Sequence, residues 1–365
     1  MHIETGEIHA VALFSGGLDS ILAARLIMEQ GLRVRCLHFV TPFFGKPYML
    51  SHWSEVYGVD IEAIDIGPQY IRMLRNRPAH GFGKVMNPCV DCKILMMQEA
   101  KRRMKELGAQ FIISGEVLGQ RPMSQRRDTL NIIRRDGEVR DVLLRPLCAQ
   151  HLDPTSVEES GLVDRTQLLD FFGRGRKGQL DLARRMGITE IPTPAGGCKL
   201  AEKENARRYW PVLTRIASPL PEDFELANVG RQGWSETLWL SIGRNEADNT
   251  ALQKLCRPSD ILLKVLDIPG PLALVRPMDT TDPLKLDLDL AAAAAQVASC
   301  APKAVRLGRE VEVRLIQQGR SRIIKVLPMR TERFEPQGFD EIRDAIHGKQ
   351  PPVNAPSSSS LTVKA

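Results

Sequence analysis

Residues 8–20 read Ile8-His9-Ala10-Val11-Ala12-Leu13-Phe14-Ser15-Gly16-Gly17-Leu18-Asp19-Ser20, and the fold turns on how this stretch changes character. Up to Phe14 it is a short run, apolar except for His9. From Leu18 the apolar residues Ile21, Leu22, Ala24, Leu26 and Ile27 follow a helical pattern. The stretch therefore predicts strand, glycine loop, helix. Two glycines in such a loop let backbone N–H groups approach a phosphate closely, and the helix N-terminus adds a positive dipole end. Ser15 and Ser20 can donate hydroxyl bonds, and Asp19 can hold a magnesium ion. The lysine and spacing of a Walker A loop are absent, as is the dinucleotide Gly-x-Gly-x-x-Gly, which disfavours a kinase or an ordinary P-loop ATPase.

Working outward, the alternation continues. Strands are predicted over Arg33–Val40 and Asp60–Ile66, and helices over about Tyr48–Tyr57 and Gln69–Arg75, which gives a doubly wound parallel sheet. After Asn87-Pro88, the spacing predicts a helix from Cys92 to Leu107 and a buried strand over Gln110–Ser114. Thr129–Arg145 reads as two more strands around Asp136-Gly137, and Gln179–Met186 as a helix ending at Gly187. Ser218-Pro219-Leu220-Pro221-Glu222 reads as a linker, because its prolines disfavour helix continuation and central strands. Beyond it, strands over Glu236–Gly243, Ile261–Leu266, Leu272–Val275, Glu310–Ile316 and Arg322–Pro328, with an alanine-rich helix over Leu288–Ser299, predict a separate α+β domain. The expected division is 1–217, a linker at 218–222, 223–330, and an extension over 331–365 whose tail from about Gly348 reads as disordered.

With 365 residues and 43% apolar composition the chain supports real cores, which excludes a disordered or fibrous protein. Its net charge of +6 is modest but clustered: Lys101–Arg145 holds 11 basic and 6 acidic residues, and Arg165–Arg208 holds 10 and 5. Such density beside a phosphate loop fits either a polyanion such as nucleic acid or a solvated helix face. No run approaches the ~18 apolar residues of a membrane span, and no secretory pattern opens the chain, so a cytoplasmic protein is expected. In that reducing compartment seven cysteines, including a Cys89-x-x-Cys92 pair, suggest metal binding or catalysis rather than disulfides.

Cys89 and Cys92 lie where a loop enters a helix, so the helix dipole and Lys93 are expected to lower a thiol pKa. Cys198 follows Pro194-Ala195-Gly196-Gly197, where glycines allow close backbone approach. A structural zinc site usually takes four such ligands, and no second Cys-x-x-Cys completes one; Cys148 or His80 is the available fourth ligand. Three thiolates on a [4Fe-4S] cluster leave one iron open for hydrosulfide. Cys36, Cys148, Cys256 and Cys300 read as small buried residues.

Ser15–Ser20 spell the Ser-Gly-Gly-x-Asp-Ser motif and resemble the PP-loop ATP pyrophosphatases, with their adenine nucleotide alpha hydrolase-like fold. The resemblance implies ATP cleavage between the α and β phosphates, with AMP activating a carbonyl oxygen, Ser15, Gly16, Gly17 and Ser20 around pyrophosphate, and Asp19 on magnesium. The Asn87-Pro88-Cys89 loop and the Gly196-Gly197-Cys198 loop are similar to those of the thiouridine-forming branch. That similarity runs from about Ala10 to Leu213, through Gly115–Gln125 and Gly173–Gln179. It implies a tRNA sulfurtransferase that adenylates a uracil carbonyl oxygen and replaces it with sulfur delivered through Cys89, Cys92 and Cys198. In the branch those cysteines hold either an iron–sulfur cluster or a catalytic thiol served by a persulfide-bearing partner. Arg174 and Lys177 are assigned to the nucleotide, Arg176 and Arg121 to RNA, and Gln120 and Gln125 to the nucleotide or acceptor.

In the C-terminal part Leu240–Asn245, Asp248-Asn249 and Asp260–Pro271 resemble the RNA-binding domain of NFACT proteins, over about Asp223–Met329. That domain usually carries Trp-Leu-His where this chain has Leu262-Leu263-Lys264, so a role for that aromatic or histidine does not carry over. Arg244 is the expected phosphate contact there. A PP-loop ligase or amidotransferase, and an RNA-binding protein with a degenerate loop, are the competing readings. No rhodanese-like domain is visible, so sulfide or an external persulfide carrier is the expected donor. Position-8 4-thiouridine and wobble 2-thiouridine both stay open.

Overall fold

The computed structural model describes residues 7–121, 124–192, 197–278, 282–334 and 338–348. The chain forms two compact units, Met1–Ala201 and Glu202–Ala365.

In the first unit β1 (Ala10–Leu13) and α1 (Leu18–Met28) flank the glycine loop, and both are almost wholly buried. They are followed by β2 (Val34–Val40), α2 (Leu50–Tyr57), β3 (Asp60–Asp65), α3 (Gly67–Arg75), α4 (Cys89–Glu106) and β4 (Phe111–Ser114). Then come α5 (Arg127–Asp136), a two-residue β5 (Leu143–Leu144), α6 (Ser156–Glu159) and α7 (Lys177–Arg185). The sheet order is β3-β2-β1-β4-β5 and every pairing is parallel, with Ala10 opposite both Val34 and Phe111. The doubly wound sheet is therefore as expected. Its strand order reverses between β1 and β4, which opens a crevice at their C-terminal ends.

The pair of strands expected over Thr129–Arg145 is corrected. Thr129, Leu130 and Ile133 form the buried face of α5, which packs on α4 while charged residues fill the other face. Asp136-Gly137 ends this helix instead of turning a hairpin; a side chain at Gly137 would lie 2.7 Å from the Ile133 carbonyl and 2.9 Å from Met97. Helix α4 also begins at Cys89, not at Cys92.

The second unit contains α8 (Lys203–Arg215), α9 (Pro221–Ala227), β6 (Arg231–Trp234), β7 (Leu238–Ile242), α10 (Glu246–Leu255), β8 (Ile261–Val265), β9 (Ala273–Pro277), α11 (Pro283–Ser299), α12 (Pro302–Leu307), β10 (Val311–Gln317), β11 (Arg320–Val326) and α13 (Phe339–His347). Its six strands run in the order β11-β10-β8-β9-β7-β6, all antiparallel. Small Ala293, Ala294 and Ala298 let α11 close onto this sheet. The units divide before α8, not at 218–222, where Pro221 instead opens α9 at the helix position that tolerates proline. Packing of α8 on α9 and α13 ties it to the second unit. The tail expected to be disordered lies, from residue 349 on, outside the described residues.

Candidate functional site

The crevice of the first unit is built by two tight backbone fits. Gly16 has φ +74°, and a Cβ there would lie 2.3 Å from the buried Trp53 ring, so only glycine fits. A Cβ at Gly115, just past β4, would sit 2.5 Å from the Asp19 carbonyl oxygen and 2.8 Å from Ser20 N. The first turn of α1 thus rests directly on the turn after β4. Within the loop Ser20 Oγ donates to the Gly17 carbonyl at 2.7 Å and accepts from Ser15 N at 3.3 Å, while Gly17 N donates to Ser15 Oγ at 3.3 Å.

Asp19 is brought beside groups from two distant segments. Its Oδ2 accepts from Gln120 Nε2 at 3.1 Å, and Arg176 and Arg121 act on it electrostatically. The Arg176 segment reaches this place because Gly173 N donates to the Leu118 carbonyl at 2.9 Å. Burial raises the Asp19 carboxyl above its ordinary range, against the lowering by Gln120, Arg176 and Arg121. Among the described residues Asp19 Oδ1, Gln120 Oε1 and Arg176 Nε are buried with no partner. An orphaned carboxylate oxygen together with an orphaned guanidinium N–H fits a magnesium–phosphate pair. Arg121, Arg174 and Lys177 are exposed, and Gln125 is buried with its Oε1 accepting from Arg121 N at 3.1 Å.

The three cysteines also converge. Cys89 and Cys92 occupy the first turn of α4, and the Cys198 segment is tied to them by the bond from Met86 N to the Leu200 carbonyl, 3.1 Å. The thiols act on one another electrostatically, and all three act on the Tyr70 hydroxyl, which is fully buried on α3 with no hydrogen-bond partner of ordinary geometry. Burial pushes the Cys92 thiol up to about 11 and the Cys198 thiol up to about 12. The expected lowering of a thiol pKa therefore fails at Cys92: Tyr70 and Lys93 do lower it, but desolvation wins. Among the described residues no three His, Cys, Asp or Glu are grouped as a metal site. Three soft thiols around the buried Tyr70 hydroxyl nevertheless fit an iron–sulfur cluster in donor chemistry. Residues 193–196 of the Cys198 loop lie outside the described residues.

The other cysteines separate from this group. Cys148 is buried and donates to the Glu116 carbonyl at 3.3 Å, and His80 pairs with Asp136 at 3.0 Å, so both proposed fourth zinc ligands are engaged elsewhere. Cys36 is buried as expected, but Cys256 and Cys300 are only half-buried.

Two residues escaped the sequence reading. Tyr70 carries no signal, since its helix is merely amphipathic. Glu116, quoted only as part of a longer motif, is fully buried and links both halves of the site: Arg145 Nε donates to it at 3.1 Å, and Lys93, next to Cys92, lies at 3.7 Å. Burial alone would raise its carboxyl, yet Lys93 and Arg145 hold it below the ordinary range. The signal that could have found it is a single carboxylate among the otherwise uncharged residues 111–118 at the end of a buried strand.

Residues 6–154 match the family described as thiamine biosynthesis protein (ThiI). The ThiI match holds the glycine loop, Cys89, Cys92, Glu116 and Arg121, and stops before Arg174 and Cys198. Curated relatives include a probable tRNA sulfurtransferase of Thermococcus kodakarensis, 33% identical over 187 residues, covering 50% of this chain and 42% of that one. Another from Methanosarcina acetivorans is 28% identical over 205 residues, covering 52% and 40%. The tRNA sulfurtransferase of Desulfurococcus amylolyticus is 30% identical over 146 residues, covering 38% and 29%. The chain thus spans less than half the length of these relatives. A solved NMN synthetase from Francisella tularensis covers 52% of the chain at 14% identity and a TM-score of 0.25, too low to carry an argument.

In the second unit Arg244, expected at RNA, is held by Asp248 through its backbone N at 3.0 Å and its Nε at 2.7 Å, and Asn245 caps α10 by accepting from Asp248 N at 2.9 Å. No helix among the described residues is long and apolar enough to cross a membrane.

Proposed function

We propose that the protein is an ATP-dependent tRNA uridine thiolating enzyme. The observation that carries this reading is that one unit brings together a phosphate-shaped glycine loop, an orphaned Asp19 oxygen and three converging thiols. The tRNA sulfurtransferase names of its relatives support the acceptor. Ser15, Gly16, Gly17 and Ser20 hold the pyrophosphate moiety of ATP, while Asp19 holds magnesium and Gln120 orients Asp19. Arg174, Arg176 and Lys177 neutralise phosphate, and Arg121 meets RNA. The uracil oxygen takes the adenylyl group and pyrophosphate leaves; a sulfur nucleophile then adds at that carbon and AMP leaves with the oxygen. Cys89, Cys92 and Cys198 are the residues that would hold an iron–sulfur cluster, whose open iron supplies a place for hydrosulfide. Sulfide or an external persulfide carrier is the donor, and the second unit, as an NFACT-type RNA-binding domain, docks tRNA.

Two measurements test the reading. Pyrophosphate release from ATP should require tRNA and be lost in Asp19→Ala; no ATP cleavage under any condition rejects it. Anaerobic protein should show a broad band near ~400 nm with iron and acid-labile sulfide, lost in Cys89→Ala, Cys92→Ala and Cys198→Ala. No iron after anaerobic reconstitution removes the cluster and leaves a thiol relay.

A further inference from the structure

The second unit contains a cavity of about 330 Å³ between α8 and the edge strand β6, within the size range of small-ligand sites. Its charge is one-sided among the described residues: Arg207, Arg208, Arg215 and Arg231 line it, with Glu204 as the acidic member. Glu204 accepts from Arg207 at 2.8 Å and Arg208 at 3.4 Å, and Arg208 also caps the Ala227 and Gly230 carbonyls at 3.0 and 3.2 Å. Arg215 bonds only the Ser235 carbonyl, at 3.2 Å, and Arg231 is exposed with no carboxylate partner among the described residues. Among the described residues these two guanidinium groups therefore stand without a carboxylate partner.

A stack of flat groups ends at the same wall. The Arg215 guanidinium lies 5.8 Å from the Trp234 ring centre, and Trp234 lies on Trp239 at 4.5 Å with an interplanar angle of 11°. Arg276, on β9, lies 5.5 Å from the Trp239 ring and is itself fixed by Asp260 at 2.7 and 2.9 Å and Asp223 at 2.5 Å. The inner end of the stack is locked in the core, which fixes the plane of Trp234, and the exposed Arg215 guanidinium lies over that ring. Guanidinium forks suit phosphate, and indole or guanidinium planes suit a base. A simple anion has no use for the aromatic stack, and an apolar ligand has none for four arginines against one glutamate.

We propose that this cavity binds a nucleoside phosphate, with Arg231 on the phosphate and the Trp234–Arg215 surface against the base. The unit is supplied either by a single RNA strand or as a free nucleotide. The inference uses no residue of the first unit, so it survives or fails independently of thiolation.

The test is fluorescence anisotropy of a labelled single-stranded octaribonucleotide on the full chain, with AMP and inorganic phosphate as competitors. Arg231→Glu should weaken binding by about 10-fold and Arg215→Ala by roughly 5- to 100-fold, with unchanged thermal melts, while Trp234→Phe, which keeps a ring in the stack, stays within about 3-fold. Displacement by AMP identifies a free nucleotide as the occupant, and displacement only by unlabelled strand identifies RNA; both support the site. Binding untouched by Arg231→Glu and Arg215→Ala overturns it. Displacement by inorganic phosphate as effective as by AMP also overturns it, since the site would then read charge alone.

Discussion

Replacing Gly115 by alanine tests the link between sheet and glycine loop. The new methyl would meet the Asp19 carbonyl oxygen at 2.5 Å, its carbon at 2.6 Å and Ser20 N at 2.8 Å. All three are backbone atoms in the first turn of α1 and cannot rotate away. Ordinary contact begins near 3.4 Å, so the turn must yield by about 0.9 Å. Helix α1 has little room to do so, because Leu18, Ile21, Leu22, Ala23, Ala24, Leu26 and Ile27 are buried. Overpacking of this kind costs about 1–3 kcal/mol. At ~2 kcal/mol a unit of this size should melt roughly 4–8 °C lower. A shift near 1 Å in residues aimed at a reacting phosphate should slow pyrophosphate release by about 100-fold. Gly31→Ala is the control: its φ is +81° with nothing within 4 Å of the new methyl, so it should cost about 1 kcal/mol and leave release unchanged. A Gly115→Ala protein that melts within about 1 °C of the parent and releases pyrophosphate at the parent rate would refute the reasoning.

Three further outcomes follow from the buried charges and thiols. Glu116→Gln leaves Arg145 and Lys93 without their shared counter-charge and should cost about 3–5 kcal/mol in urea unfolding; because the Glu116 carboxyl is depressed, its contribution is present at neutral pH and lost as pH falls through its folded value, so the variant should show a flatter acid limb. Arg276→Met strands the buried Asp260, while Asp223 keeps Arg257 at 2.9 Å, and should lower the second unit's stability by about 3 kcal/mol; a change under about 1 kcal/mol would show that the pair is solvated. In metal-free protein at pH 8, thiols near 11 and 12 are ionised to roughly one part in a thousand and one in ten thousand, so peptide mass spectrometry after iodoacetamide should find exposed Cys89 modified first; equal rates at Cys92 and Cys198 would contradict the burial.

The first unit was legible because its local signals agree. An apolar run, two glycines and an amphipathic helix can form little else, and the cysteine loops converge once β1 and β4 are neighbours. Thr129–Arg145 misled because Ile132 and Ile133 are β-branched; the spacing of Leu130 and Ile133 and their burial against α4 decided for helix. Lys93 seemed free to activate a thiol, but its Glu116 partner lies 23 residues away in sequence, beyond local reading. In the second unit the strands showed their alternation, whereas short helices such as α9 and α12 hide behind prolines at their starts. Arg244 looked like a phosphate contact, but the turn capped by Asn245 brings Asp248, four residues on, back onto its guanidinium.

The most direct measurement is mass spectrometry of nucleosides from unmodified tRNA incubated anaerobically with the full chain, magnesium, ATP and sulfide. Thiouridine should form only with ATP and disappear in both Asp19→Asn and Cys198→Ala. Thiouridine formed without ATP, or retained in full by Cys198→Ala, would contradict sulfur transfer through this site.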